Sequence, residues 1–156
     1  RDVTIRDIVS TYIYPNTLKT LCVTRAQLKC ALERSAEYFA IDADGKLKVS
    51  ESFLTPIEQH FNYDYFSGIE AAFDIRRSVG DRVVSIKYKG EELSGDKRLT
   101  LCMNNYRASG AGGYDIYRQC QTVRELPTEI AELIIAYVDK HRNITVDKHK
   151  WLKLIY

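Results

Sequence analysis

The chain has 156 residues, 45% of them hydrophobic and 28% charged, enough for one domain with a core of its own. A net charge of +2 without any basic block argues against a long polyanionic partner, and no apolar run approaches the length of a membrane span.

In chain order, Arg1 to Ser10 carries apolar residues at Ile5, Ile8 and Val9 and predicts a short helical turn leading into the core. Arg1 stands where an initiator methionine would, so the expectation is a fragment of something longer. Tyr14-Pro15-Asn16 predicts a corner, because proline holds the preceding residue extended and asparagine suits a turn. That corner either displays Tyr14 to a ligand or uses its tyrosines to cover core edges. Thr17 to Val23 reads as a strand. Thr24 and Gln27 have capping-box spacing, and Leu28, Ala31, Leu32 and Ser35 give an amphipathic helix from Arg25 to about Phe39. Asp42 to Lys46 is a turn that begins like a calcium loop but lacks the later acidic ligands and the terminal glutamate.

Thr55-Pro56-Ile57-Glu58 predicts a second helix, with proline at its first position. The aromatic cluster Tyr63-Asp64-Tyr65-Phe66 that follows suits either a binding loop or packing against a sheet. Ile69, Ala71, Phe73 and Ile75 alternate as a strand, Arg82 to Tyr88 forms another, and Lys89-Gly90-Glu91 makes a tight turn. Leu99, Leu101 and Met103 share one face of a further strand. Gly113 to Gln119 predicts a helical turn. Leu126-Pro127-Thr128 opens a helix with an apolar stripe of Ile130, Leu133, Ile134, Tyr137 and Val138, stopped by Asn143. Trp151 to Tyr156 is a closing strand. The middle of the chain therefore predicts a small, mostly antiparallel sheet in an α+β fold.

Most catalytic signatures are missing. The three histidines, His60, His141 and His149, form no H-x-H or H-E-x-x-H arrangement, so spacing proposes no metal centre. There is no G-x-S-x-G serine, no dinucleotide fingerprint and no triphosphate loop. The four cysteines make no C-x-x-C pair. Cys22 and Cys102 fall in strands, where buried thiols are the expectation, and one disulfide stays open. What remains is binding chemistry. Asn104-Asn105-Tyr106-Arg107-Ala108-Ser109-Gly110-Ala111-Gly112-Gly113-Tyr114 combines amides, a flat π-face and glycines that let a ligand approach the backbone. That mixture suits a neutral, planar, polar ligand such as a nucleobase; the alternative is a plain glycine-rich turn.

This stretch resembles the N-x-aromatic-x-A-T/S-G-G-x-G-Y signature of the C-terminal domain of 5′-nucleotidases, a domain also found in 2′,3′-cyclic-nucleotide 2′-phosphodiesterases with 3′-nucleotidase activity. Tyr14 to Leu18 resembles the family's P-F-G-N corner, and Thr24 to Leu28 its T-G-x-x-L helix start, with Arg25 in place of glycine. Tyr63 to Ile69 and Val79 to Val83 agree in order and spacing. The resemblance implies a four-layer α-β-β-α sandwich covering residues 1–156. It also implies a nucleobase stacked between Tyr14 and Tyr106, with Asn16 at the base edge and Gly110 and Gly112 contributing to the substrate site. Many 5′-nucleotidases carry a ribose-contacting aspartate where Gly112 stands, and the wording Asn-Asn-Tyr-Arg-Ala is closer to the cyclic-phosphodiesterase branch. Arg107 is expected at the rim of the cleft or turned back onto an acid. Further implications are a metallophosphoesterase domain upstream holding a divalent metal pair (manganese, zinc or cobalt), no catalytic residue in this stretch, and a location outside the cytoplasm. A 5′-nucleotidase domain and a non-catalytic binding or scaffold module are the alternatives.

Overall fold

The computed structural model describes residues 2–156. Helix α1 (Ile5–Thr11) starts at Thr4, whose hydroxyl accepts from the Asp7 amide while the Asp7 carboxylate accepts from the Thr4 amide. Of its three apolar residues only Ile8 is buried; Ile5 and Val9 stay exposed. Strand β1 (Thr17–Thr24) runs straight into α2 (Arg25–Ala36), which carries the expected capping box of Thr24 and Gln27. Leu28, Ala31, Leu32, Ser35 and Ala36 form its buried face.

Helix α2 stops short of Phe39 because Phe39–Ile41 is taken into a hairpin, β2, against β3 (Leu47–Val49). The freed helix end is closed by Arg82, whose Nη1 donates to the carbonyls of Ala36 (3.0 Å) and Phe39 (2.7 Å). No helix follows Pro56. Instead the chain makes two 3-10 turns, Glu51–Phe53 and His60–Asn62. Phe53 is fully buried but Ile57 and Phe61 are exposed, so a helix here would have no apolar stripe to bury.

Strands β4 (Glu70–Asp74), β5 (Val83–Tyr88), β6 (Glu91–Glu92) and β7 (Arg98–Asn104) follow, then the one-turn helix α3 (Asn105–Ala108) and a 3-10 turn over Asp115–Gln119. Strand β8 (Gln121–Glu129) precedes α4 (Ile130–His141), and β9 (Leu152–Ile155) closes the chain. Leu126-Pro127-Thr128 thus lies in a strand, and the helix begins only at Ile130. Strand β8 is exposed over most of its length and joins β1 with register shifts, so it shows no hydrophobic alternation; its proline is tolerated because β8 is an edge strand. Tyr137 also leaves the expected stripe of α4 and is exposed.

Three sheets result: β7-β1-β8, β2-β3 and β6-β5-β4-β9. Every pairing is antiparallel except β4 with β9, so the fold is mixed but antiparallel-dominated. Helix α2 packs on both β1 and β5 and so links the two larger sheets. One cluster, with Leu21, Val23, Leu32, Phe73 and Ile86 among its members, fills the space between them. All four cysteines are free thiols. Cys102 is exposed rather than buried, because it points to the face of β7 opposite Leu101 and Met103.

Candidate nucleoside-binding cleft

The register of β1 against β7 assembles the site. Leu18 pairs with Asn104, so the corner just before β1 and the loop just after β7 emerge side by side from one end of the sheet. Two further hydrogen bonds hold the corner there. The Thr17 amide donates to Asn105 Oδ1 (3.1 Å), and the Ile130 amide donates to the Asn16 carbonyl (2.9 Å). Within the corner the Asn16 amide donates to the Tyr14 carbonyl (2.8 Å), a tight reversal that turns the Tyr14 ring outward.

On the other side, Asn104 caps α3: its Oδ1 accepts from the Arg107 amide at 2.7 Å. This turn presents Tyr106 and sends Arg107 inward. Tyr14 is 66% exposed and Tyr106 47% exposed. Both line one open cleft of about 480 Å³, together with Tyr12, Asn16, Phe61, Asp64, Asn104 and Arg107. Among the described residues no other aromatic ring stacks on Tyr14 or Tyr106; Tyr106 is approached only by the Arg107 guanidinium, 5.7 Å from its centroid. Two tyrosine faces are therefore free for a planar guest.

Arg107 is turned inward. It is 5% exposed, its Nε lies 2.8 Å from Asp64 Oδ2, Nη2 donates to the Phe61 carbonyl (3.0 Å) and Nη1 to that of Ala111. Its guanidinium also covers the Tyr114 ring at 4.4 Å. The turn of Arg107 onto an acid agrees with expectation, and that acid is Asp64. Tyr114 is fully buried and organises the same corner: its hydroxyl donates to the Asn62 carbonyl, accepts from the Asp64 amide (3.1 Å) and bonds Ser35 Oγ (2.8 Å). Burial pushes the Tyr114 hydroxyl up to about 12, so it stays protonated and remains a donor. Burial also raises the Asp64 carboxyl, and Arg107 opposes that shift.

The structure thus brings Tyr14, Asn16 and Tyr106 together. Gly110 and Gly112 lie outside the lining of the cleft. At Gly110, with φ +88°, an added Cβ would stand 2.7 Å from Arg118 Nε. At Gly112, with φ +75°, it would run into Arg107 Nη1 and Asn62 Oδ1. Both glycines make room for side chains that brace the loop. Asp64 and Phe61 line the cleft too: Asp64 lies in the Tyr63 to Ile69 stretch, whose resemblance assigns the acid no role, and Phe61 lies in no motif. The available signal was the pairing of Arg107 with the one acid in the Tyr63 to Gly68 cluster. That cluster divides its work: Tyr63 stacks on Tyr38 with centroids 4.6 Å apart, while Asp64 faces the cleft. A second cavity of about 490 Å³ runs along β7 and shares Asp64, Asn104 and Arg107 with the first.

No group of three or more potential metal-ligating side chains occurs among the described residues. Asp139 and Asp147 stand two residues before His141 and His149, but His149 bonds Glu70 (3.2 Å) and packs at a tilt against Trp151, ring centroids 4.0 Å apart. The residues present do not fit a divalent metal pair.

Residues 1–119 match the family model described as 5′-nucleotidase, C-terminal domain. The chain belongs to this family. It is 23% identical over 155 residues to the trifunctional nucleotide phosphoesterase protein YfkN of Bacillus subtilis, with 92% of this chain and 10% of that protein covered. A 2′,3′-cyclic-nucleotide 2′-phosphodiesterase/3′-nucleotidase of Haemophilus influenzae is 30% identical over 124 residues, covering 69% of this chain and 18% of the relative. Among solved structures, a Staphylococcus aureus protein assigned as a 5′-nucleotidase, in complex with α-ketoglutarate, superposes with a TM-score of 0.91 at 38% identity, over 99% of this chain and 30% of that one. The chain therefore spans a tenth to a third of these proteins, and the relatives are nucleotide hydrolases several times its length.

Proposed function

We propose that this C-terminal domain is the nucleoside-binding, specificity-giving part of a metal-dependent nucleotide phosphohydrolase, of the 2′,3′-cyclic-nucleotide 2′-phosphodiesterase/3′-nucleotidase kind. The observation that carries the reading is the cleft itself: two exposed tyrosine rings and Asn16 converge on one opening whose arginine, Arg107, is internally paired. Stacking on an aromatic face contributes about 1–3 kcal/mol per base and tolerates any base. Asn16 supplies a donor and an acceptor for the base edge, and among the described residues its side-chain amide has no protein partner. Gly110 and Gly112 serve this site by admitting the arginines that hold the loop. The reading includes one domain over residues 1–156 in the four-layer α-β-β-α order and a location outside the cytoplasm. It places the divalent metal pair and the phosphoester chemistry in a metallophosphoesterase domain outside this chain. A second reading, 5′-nucleotidase, is favoured by the assignment of the Staphylococcus aureus structure.

Titration of adenosine by NMR tests the cleft. Two stacked faces and a few hydrogen bonds give a dissociation constant on the order of millimolar. Tyr106→Ala weakens binding further; Tyr106→Phe leaves it close to wild type, because the π-face and not the hydroxyl makes the contact. Unchanged shifts in Tyr106→Ala, or their loss in Tyr106→Phe, would refute the stacking role. The isolated chain turns over none of 2′,3′-cyclic AMP, adenosine 3′-phosphate or adenosine 5′-phosphate with manganese or cobalt. Metal-dependent hydrolysis that follows the protein through successive columns contradicts this.

A further inference from the structure

Within the cleft, several polar side chains are already committed to the protein itself. Asn104 is held at both ends of its amide, Oδ1 by the Arg107 amide and Nδ2 by the Tyr12 hydroxyl at 3.4 Å. The Thr11 hydroxyl donates to the Asp7 carbonyl (2.7 Å). Both terminal nitrogens of Arg107 are spent on the Ala111 and Phe61 carbonyls, and its buried Nε has only the ion-pair contact with Asp64. Asp64 differs. Among the described residues it is the only carboxylate lining the cleft, its amide is fixed by Tyr114, and its Oδ2 lies 2.8 Å from Arg107 Nε. Among the described residues nothing donates to its second oxygen, Oδ1.

We propose that Asp64 determines specificity in the cleft: Oδ1 accepts a hydrogen bond from an N–H or O–H donor of the nucleoside stacked between Tyr14 and Tyr106. This rests on the stacking reading of the cleft and adds the polar contact that chooses among ligands. An ionised carboxylate only accepts, so it selects for a guest that carries a donor and against one that does not. The half-buried position has stripped Asp64 of part of its water, which raises its carboxyl and increases what a ligand donor restores. The buried Arg107, anchored to two carbonyls and to the Tyr114 face, holds the carboxylate in place before the ligand arrives. The donor comes either from the base, as an exocyclic amine, or from the sugar, as the 2′- and 3′-hydroxyls. The two are separable by analogues.

The test compares adenosine, purine riboside (no amine) and 2′,3′-dideoxyadenosine (no 2′- or 3′-hydroxyl) by NMR titration of the full chain. Wild type binds adenosine about fivefold or more tightly than at least one analogue, as a charge-assisted hydrogen bond requires. Asp64→Asn, which keeps an acceptor for Arg107, weakens adenosine by about fivefold to tenfold and brings that ratio toward one. A gap that closes for purine riboside assigns the amine; one that closes for the dideoxy analogue assigns the ribose. Equal binding of all three by wild type overturns the proposal without any variant. Wild-type ratios in Asp64→Asn, beside a Tyr106→Ala that loses adenosine, overturn it while leaving the stacking site standing. A Tyr106→Ala that binds as wild type removes both.

Discussion

Glu33 shows how much one side chain does for this fold. It is buried on α2, and its two oxygens accept from the amides of Arg82 and Val83, each at 2.9 Å, while Lys29 Nζ lies 3.2 Å away. Those amides open β5, so a single carboxylate fastens the helix to the four-stranded sheet. Arg82, just ahead of β5, answers by capping the end of α2. Replacing Glu33 by alanine leaves two buried amides and a lysine without their partner, at a cost of about 3 kcal/mol. Gln at the same position keeps one acceptor and falls between wild type and alanine. Urea unfolding of the three proteins measures the order; equal midpoints for alanine and wild type would contradict the role.

Pairing of β1 with β7 is what turns two remote motifs into one cleft, and Asn105 is the clasp. It is exposed, does not line the cleft, and joins the corner to the end of β7 through the Thr17 amide. Asn105→Ala removes one exposed hydrogen bond, worth about 1 kcal/mol or less to stability. Its effect on the ligand is larger in proportion, because Tyr14 loses its fixed position relative to Tyr106 and adenosine binding weakens severalfold. Thermal melting and adenosine titration of the same variant separate the two effects. A variant that melts lower but binds as wild type shows that the corner holds itself.

Across the whole molecule, the four-stranded sheet is completed by β9, the last strand in sequence, which pairs with the inner strand β4. Asp74 ends β4 and anchors the following turn. Its carboxylate receives Arg76 Nε and Nη2, both at 2.8 Å, and lies 3.7 Å from Arg77 Nε. The Arg76 hydrogen bond holds the Asp74 carboxyl down to about 2, against an ordinary value of 3.8. Since the folded state binds this proton less readily than the unfolded chain, the stabilisation is complete above the ordinary value and disappears as pH falls through about 2. Acid unfolding between these limits therefore includes Asp74, and Asp74→Asn flattens the pH dependence of stability there. Parallel slopes for wild type and variant would exclude Asp74 from that transition.

Local patterns alone determined a good part of this protein. Capping at Thr24, the alternation of Ile69 to Ile75 and the Leu99 to Met103 face are decided by neighbours a few residues away, and all occur as read. The family was legible too, because the Asn104 to Tyr114 wording is dense with residues that few backbones need together. The tertiary structure alone decided the rest. Strand β8 has no periodicity of its own and exists because β1 offers it hydrogen bonds; Pro56 starts no helix because nothing waits to bury one; Phe39 leaves α2 because β3 pairs with it. Asp64 entered the cleft by the same route. Its place there depends on Arg107 and Tyr114, more than forty residues further along, and such long-range pairings of charge and hydroxyl leave no periodic trace in the chain.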